Sequence, residues 1–219
     1  MTLASFPILS VVTFLPLVGA LIVAFLPRDK PDLARWVALG VSGLAWVASL
    51  ELLIGYFPGG IPGGFQFVEQ VDWIPAFGIQ YKLGVDGLSV VLVVLTTTLS
   101  WVSILASFGP IRERVKEYMI SFLILEVGMI GVFVSLDLFL FYIFWEVVLV
   151  PMYLIIGIWG GPRRIYATIK FVLYTLVGSL LMLVAILATA YTFAQGHHGS
   201  FLGAFDFLSL RAYAATSGL

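Results

Sequence analysis

Glu146 is the residue of this chain whose type and position most directly indicate chemistry. It lies in the middle of an apolar segment, FLFYIFWEVVLVPMYLIIGIWGG, that runs from Phe139 to Gly161. About 20 such residues form a helix that crosses the hydrocarbon core of a membrane. A carboxylate near the centre of that helix costs roughly 2.5–3.5 kcal/mol to insert. Pro151 follows five residues later and cannot donate to the carbonyl of Val147. An acid beside a loosened backbone at mid-depth indicates a place where a proton or an ion binds.

A second acid, Glu126, lies in the preceding apolar segment. The turn near Asp137 is eleven residues after Glu126 and nine before Glu146. At about 1.5 Å per residue, both carboxyl groups lie at a similar depth, roughly 13–17 Å from one surface. If the two helices are antiparallel neighbours, the carboxylates can meet directly or through one water, and both repulsion and burial then favour a bound proton. The alternative for each acid is a protonated side chain that hydrogen-bonds a backbone carbonyl for packing.

A single lysine, Lys170, lies a turn and a half into the next apolar segment. It is about 9 Å deeper than Arg164, whereas Glu146 is about 21 Å from the same surface, so a direct salt bridge is not expected. Two interpretations stay open: the lysine reaches back to the lipid headgroups, or it is a cation that tunes the acids through water. Asp86 and Asp137 precede helical segments, where an aspartate is a typical N-cap.

The composition places these residues in an integral membrane protein. Of the 219 residues, 61% are hydrophobic and only 11% are charged, which is outside the range of soluble domains. Because lipid leaves unpaired backbone groups unsatisfied, the spanning segments are predicted to be helices. The first segment has no basic residue before it and no cleavage site after it, so it is predicted to be a membrane helix that stays in the protein rather than a signal peptide. We predict six spans, at about 8–26, 34–57, 84–108, 118–136, 138–160 and 166–194.

The segments between the spans predict the orientation. Residues 58–83 are rich in glycine, proline and aromatic residues and are predicted to form an exposed loop or a hairpin at the membrane interface. Basic residues concentrate after spans one, three and five: Arg28, Lys30, Arg35, Arg112, Arg114, Lys116, Arg163 and Arg164, against Lys82 and Arg211 on the other side. Basic loops stay on the cytoplasmic side. The N-terminus is therefore predicted to be periplasmic, in a bacterial inner membrane.

The composition also limits cofactors and partners. There is no cysteine, so the chain cannot supply thiolate ligands to an iron–sulfur cluster. The two histidines, His197 and His198, are adjacent and cannot clamp a haem between two helices. We therefore expect no cofactor and no redox centre in this chain. No nucleic-acid signature is present, and the lipid bilayer is the expected surrounding.

Three segments carry a resemblance to a known family. They are LGVDGLSVVLVVLTTTL at 83–99, FWEVVLVPMY at 144–153 and WGGPRR at 159–164, the last two within a longer similar stretch at 135–183. These segments resemble the antiporter-like subunits of NADH:quinone oxidoreductase, respiratory complex I, and most of all its chain M (subunit 4). The same superfamily includes Mrp-type cation/proton antiporter subunits. The resemblance extends over essentially the whole chain.

The resemblance implies a fold, a function and partners. It implies an all-α membrane protein, the N-terminal part of a fold of about fourteen helices with two inverted repeats. Residues 1–115 would be three N-terminal helices, and 116–219 the start of the first repeat, truncated before the seventh span and its lysine. Glu146 would be the key proton-channel acid, with Glu126 and Lys170 matching an acid and a lysine in the adjacent helices. Other membrane subunits of complex I would be the partners.

Three functions follow as alternatives. The first is a proton-translocating subunit that couples quinone reduction to proton pumping and has no redox centre of its own. The second is a subunit of a Mrp-type antiporter, and the third is a structural scaffold fragment. In the first case the chain is part of an oxidoreductase, but the isolated chain is not expected to catalyse the reaction or to translocate protons alone.

Overall fold

The structure, a computed structural model, describes residues 7–56 and 64–217, which form helices and one β-hairpin. In chain order the elements are α1 (Ile8–Phe25), α2 (Pro31–Tyr56), β1 (Gln66–Ile74), β2 (Ile79–Val85), α3 (Gly87–Ala106), α4 (Val115–Val134), α5 (Leu138–Trp159), α6 (Arg164–Gly196) and α7 (Phe207–Ser217). Helices α1 to α6 are each long and apolar enough to cross a membrane. The six predicted spans are confirmed within a few residues at their ends.

The third span begins later than predicted. Gly84 and Val85 are the last residues of β2 rather than the first of a helix. Asp86 then caps α3, and its side chain accepts hydrogen bonds from the Ser89 N–H at 2.8 Å and from the Ser89 hydroxyl at 2.5 Å. Burial alone would raise the pKa of Asp86, but these hydrogen bonds outweigh it and lower the pKa. The prediction that Asp86 is an N-cap is confirmed.

Helix α4 is at the centre of the bundle. It contacts α1, α2, α3 and α5, whereas α6 packs mainly against α5. Consistently, α4 is the most buried of the six helices and α6 the most exposed to its surroundings. The chain therefore folds as a close bundle of α1 to α5 with α6 along one side.

Two glycines set the contact between α4 and α5. A Cβ atom on Gly131 would lie 2.2 Å from a ring carbon of Phe144, and one on Gly128 would lie 2.7 Å from a methyl of Val148. No larger side chain fits at either position without a shift, because real Cβ atoms do not approach other atoms so closely. Phe144 and Val148 are four residues apart and share one face of α5. This contact fixes how both helices are rotated about their axes.

The basic connections lie together at one end of the bundle. Lys116 Nζ donates to the Leu26 carbonyl at 2.7 Å. Arg35 donates to the Ile111 carbonyl at 2.6 Å, and the Trp159 indole N–H donates to the Glu113 carbonyl at 2.8 Å. The loops after α1, α3 and α5 therefore share one face, as the sequence predicts.

The β-hairpin covers the opposite end of the bundle. Part of the predicted loop at 58–83 is thus an antiparallel pair of strands, β1 and β2, with two breaks in its register, while residues 57–63 lie outside the described residues. Glu69 of β1 accepts hydrogen bonds from the backbone N–H of Leu9 at 2.7 Å and of Ser10 at 3.1 Å. Because the first N–H groups of a helix have no partner within it, Glu69 acts as a distant cap for α1.

The hairpin also holds the start of α5 and the start of α7. Asp137 caps α5 by accepting from two backbone N–H groups of its first turn, as predicted, and its other oxygen accepts from the Gln80 N–H at 3.0 Å. Burial raises the pKa of Asp137, more than these hydrogen bonds lower it. Lys82 donates to Asp206 at 2.7 Å, and both side chains are 9% exposed. The hairpin thereby contacts the N-terminal ends of three helices, α1, α5 and α7.

Candidate proton-binding site

Glu146 lies on α5 beside a cavity of about 470 Å³ between α3, α4, α5 and α6. One carboxylate oxygen, Oε1, is buried and has no hydrogen-bond partner among the described residues. Tyr142 precedes it by one turn, on the same face of α5, and its phenol lies near both Glu146 and Ser179 of α6. The carboxylate thus combines a hydroxyl neighbour with an open acceptor site inside the membrane-spanning bundle.

The cavity beside Glu146 has a mixed lining. Most of its walls are apolar, from Leu125, Met129, Trp145 and Met152 among others, and polar groups come from Thr96, Thr175 and Ser179. The Thr96 and Thr175 hydroxyls donate to carbonyls of their own helices at 2.8 and 2.7 Å. Their oxygen lone pairs remain as acceptors. Such a cavity can hold a short water chain next to the acid.

Glu126 is fully buried and faces α2 rather than α5. Its Oε1 accepts a hydrogen bond from the Ser42 hydroxyl at 3.2 Å, and its Oε2 has no partner among the described residues. Ser42 was missed by the sequence interpretation. The available signal was the pair of small polar residues Ser42 and Ser49 in one apolar helix, spaced seven apart on one face.

The hydrogen bonds of the structure do not join the two acids across α4 and α5, the arrangement that the sequence allowed: Glu126 is bonded to Ser42 of α2. Their depths agree as predicted, because Gly128 opposite Val148 and Gly131 opposite Phe144 put Glu126 and Glu146 within about one helical turn. Their directions differ. Glu126 is two residues from Gly128, and Glu146 is two residues from Val148. Two residues turn an α-helix by about 200° about its axis, so each acid points away from the α4–α5 contact. The two carboxylates therefore have different neighbours.

Lys170 is not beside Glu146. On α6, Ser179 is near Tyr142, and Thr168 is near Gly157. This antiparallel register puts Lys170 about 10 Å closer to the basic loops than Glu146 is. The structure agrees with the sequence in excluding a direct salt bridge.

The lysine side chain turns back toward the basic end of the bundle. Lys170 Nζ lies 6.0 Å from the ring centre of Tyr166, one turn closer to that end. Lys170 also lines a second, open cavity of about 670 Å³ together with Arg163 and Arg164. Phe171 is in the walls of both cavities. The second cavity therefore reaches from the basic loops to within one side chain of the Glu146 cavity.

No cluster of three or more histidine, aspartate or glutamate side chains able to hold a metal ion occurs within residues 7–56 and 64–217. The site is thus built from two separated acids, hydroxyl groups and one cation.

Comparison with known proteins identifies what this arrangement resembles. Residues 135–202, which include Glu146 and Lys170, match the family described as NADH:quinone oxidoreductase/Mrp antiporter, transmembrane. NADH-quinone oxidoreductase subunit M of Rhodobacter capsulatus is 53% identical over 185 residues, covering 83% of this chain and 35% of that protein. The chain resembles subunit M of NADH-quinone oxidoreductase. Subunit M of Rickettsia conorii is 41% identical over 196 residues, covering 87% of this chain and 39% of that protein.

The fold is shared with solved membrane complexes. A chain of respiratory complex I from Thermus thermophilus superposes with a TM-score of 0.75 at 29% identity, over 93% of this chain and 39% of that chain. A chain of the Mrp complex from Dietzia sp. shares the fold, with a TM-score of 0.64 at 20% identity, over 84% of this chain and 20% of that chain. The predicted resemblance and the helical membrane fold are confirmed. The chain spans 35% to 39% of the length of the two subunit M relatives.

Proposed function

We propose that this chain is part of the proton-translocating membrane subunit of an NADH:quinone oxidoreductase, and that Glu146 binds the transported proton. The observation that carries the proposal is the unpartnered, buried Oε1 of Glu146 beside a cavity of about 470 Å³. An ionisable group inside a membrane span is costly to insert, and such groups typically mark functional sites. The relatives of this chain are subunits of such an oxidoreductase, which supports the assignment.

The proton route begins at the basic end of the bundle. The cavity of about 670 Å³ opens there and shares Phe171 with the Glu146 cavity. Rotation of this one aromatic ring would join the two cavities into a path from the loops to the carboxylate. Lys170 lies at the mouth of the path. Its positive charge sets the electrostatic potential there, which a proton must pass before it reaches Glu146.

The surroundings of the chain follow from the same proposal. Electrons travel in other subunits, and this chain contributes no redox centre and binds no cofactor. Its partners are the other membrane subunits of the complex. Residues 1–115 support the start of an antiporter-like repeat at 116–219. The protein lies in a bacterial plasma membrane with the N-terminus of α1 and the hairpin on the periplasmic side, opposite the eight basic residues that follow spans one, three and five.

Replacement of Glu146 in the complete subunit, within the assembled complex, tests this proposal. Glu146→Gln keeps the volume and the hydrogen bonds of the side chain but cannot carry a proton, so we expect proton pumping to be lost while the complex assembles. Glu146→Asp keeps an ionisable group and should retain part of the pumping. Glu113→Gln, an exposed acid in the α3–α4 loop, is the matched control and should pump normally.

Two outcomes would contradict the proposal. Normal pumping by an assembled Glu146→Gln complex would make Glu146 a structural residue and the chain a scaffold. Transport of Na⁺ against protons that needs neither NADH nor quinone would favour the Mrp-type alternative. The measurements are proton uptake by vesicles energised with NADH, quinone reduction, and assembly on native gels.

A further inference from the structure

A layer of buried polar side chains crosses the bundle at mid-depth. One apolar cluster fills the hairpin end of the bundle and another fills the basic end, and no residue belongs to both. Between them lie buried polar side chains of α2, α3 and α4: Ser42, Ser49, Thr96, Thr97, Ser100 and Glu126. A polar layer between two apolar cores needs internal hydrogen bonds, since lipid supplies none.

Two atoms of this polar layer have no protein partner. Ser100 Oγ and Glu126 Oε2 are buried without a hydrogen bond among the described residues, in side chains that are 2% and 0% exposed. A buried polar group that stays unsatisfied destabilises the folded protein. In native proteins, buried polar atoms of this kind are paired, commonly with an internal water.

The helix registers place Ser100 and Glu126 within about one helical turn of each other in depth. The Ser49 and Thr97 hydroxyls are 2.8 Å apart, and the Ser42 hydroxyl is 3.2 Å from Glu126. Counting from these bonds along the antiparallel helices α2 and α3, Ser100 lies level with Trp46, four residues from Ser42. Ser100 and Glu126 therefore differ by about 6 Å along the helix axes, a separation that one water and the length of the Glu126 side chain can span.

The rotation of α3 turns Ser100 toward α4. Thr97 faces α2 through its bond to Ser49, and Thr96 faces the Glu146 cavity. Each residue turns the helix by about 100°, so Ser100 points about 60° from Thr97, toward the side of Thr96. On α4, Met129 lines the same cavity and lies about 60° from Glu126. Ser100 and Glu126 thus lie side by side, between α2 and the cavity.

We propose that a buried water molecule is bound between Ser100 Oγ and Glu126 Oε2, and that it links Glu126 to the Glu146 cavity past Thr96. The link runs around α3 and avoids the dry α4–α5 contact. This proposal rests on the proposed function and adds a proton-exchange route between the two acids. An O–H bond at Glu126 breaks as the water takes that proton and releases another of its own. The released proton passes through the cavity to the carboxylate of Glu146, where a new O–H bond forms, and the net charge is unchanged.

Infrared spectroscopy of the assembled complex tests the water site directly. At a pH low enough to protonate Glu126, its C=O stretching band is assigned by its loss in Glu126→Gln. Ser100→Ala should shift that band to higher frequency, because the carboxyl group loses its water, and Ser100→Thr should restore it. Thr98→Val is the matched control: its hydroxyl donates to the Val94 carbonyl at 2.7 Å, on another face of α3, so the band should not move.

The outcomes separate the water site from the proposed function. A Glu126 band that is unchanged in Ser100→Ala, or shifted equally in Thr98→Val, would overturn the water site whatever Glu146→Gln does to pumping. A band shift in Ser100→Ala with slower pumping supports both the site and the route. A band shift with normal pumping in Ser100→Ala would overturn the route between the acids. Normal pumping in Glu146→Gln would reject the proposed function without affecting the band result.

Discussion

Lys82 Nζ lies 2.7 Å from Asp206 Oδ1, in a buried ion pair that joins the β-hairpin to the start of α7. The two residues are 124 positions apart in the chain. Asp206 also accepts from the Ser209 N–H at 3.1 Å and so caps α7. One carboxylate therefore ends a helix and anchors the hairpin, and loss of its charge would leave an ammonium group buried without a counter-ion.

Asp206→Asn should lower the thermal stability of the protein. Asparagine still caps a helix, so the change removes mainly the charge, and breaking a buried pair from one side costs roughly 3–5 kcal/mol. The measurement is the midpoint of thermal unfolding in detergent. Arg211→Gln, an exposed charge on the same helix, should leave the midpoint unchanged. Equal midpoints for Asp206→Asn and wild type would show that the pair does not hold the hairpin.

The contribution of this pair should disappear in acid. Burial raises the pKa of Asp206, but the bonds from Lys82 and Ser209 outweigh it and lower the pKa below its usual value. The stabilisation is then present above the unfolded pKa, about 3.9, and is lost as the pH falls through the lower folded value. The difference in unfolding midpoint between wild type and Asp206→Asn should be constant from neutral pH to about 4 and shrink below it. A difference that shrinks between pH 7 and 5 would contradict this assignment.

The sequence predicts the parts of this fold that depend on local patterns. Long apolar segments determine the six spans, and counting residues from Asp137 correctly puts Glu126 and Glu146 at similar depth. The aspartate caps Asp86 and Asp137 are also local, since each acid bonds backbone groups two or three residues later. These features need no knowledge of which helices are neighbours.

The sequence does not predict which way the two acids point. Rotation of α4 depends on Gly128 meeting Val148 and Gly131 meeting Phe144, and many glycines in membrane spans could serve such a contact. The partner of Glu126 is Ser42, 84 residues away, and no spacing rule connects them. Non-local pairs of this kind become visible only when the packing of the helices is known.

Gly131→Ala should destabilise the bundle by steric overlap. The added methyl would lie 2.2 Å from the Phe144 ring, and overpacking of this kind costs about 1–3 kcal/mol. Gly178→Ala on α6 is the matched control, since its Cβ would meet no atom within 4 Å and alanine favours a helix. We expect a lower unfolding midpoint for the first variant and an equal or higher one for the second. A neutral Gly131→Ala would show that α4 and α5 do not pack through this face.

Cysteine labelling should find the hairpin and the α3–α4 loop on opposite sides of the membrane. The natural chain has no cysteine, so Ala76→Cys at the hairpin tip and Gly109→Cys in the loop can each be read without background. Both positions are exposed, and a Cβ on Gly109 meets nothing within 4 Å. Because eight basic residues follow spans one, three and five, the loops at these positions are expected on the cytoplasmic side.

The measurement uses cells whose outer membrane is permeabilised and whose inner membrane is intact. A maleimide that cannot cross the inner membrane should label Ala76→Cys only. After lysis, Gly109→Cys should be labelled as well. Labelling of Gly109→Cys before lysis, with Ala76→Cys protected, would reverse the orientation and put the mouth of the Lys170 cavity on the periplasmic side.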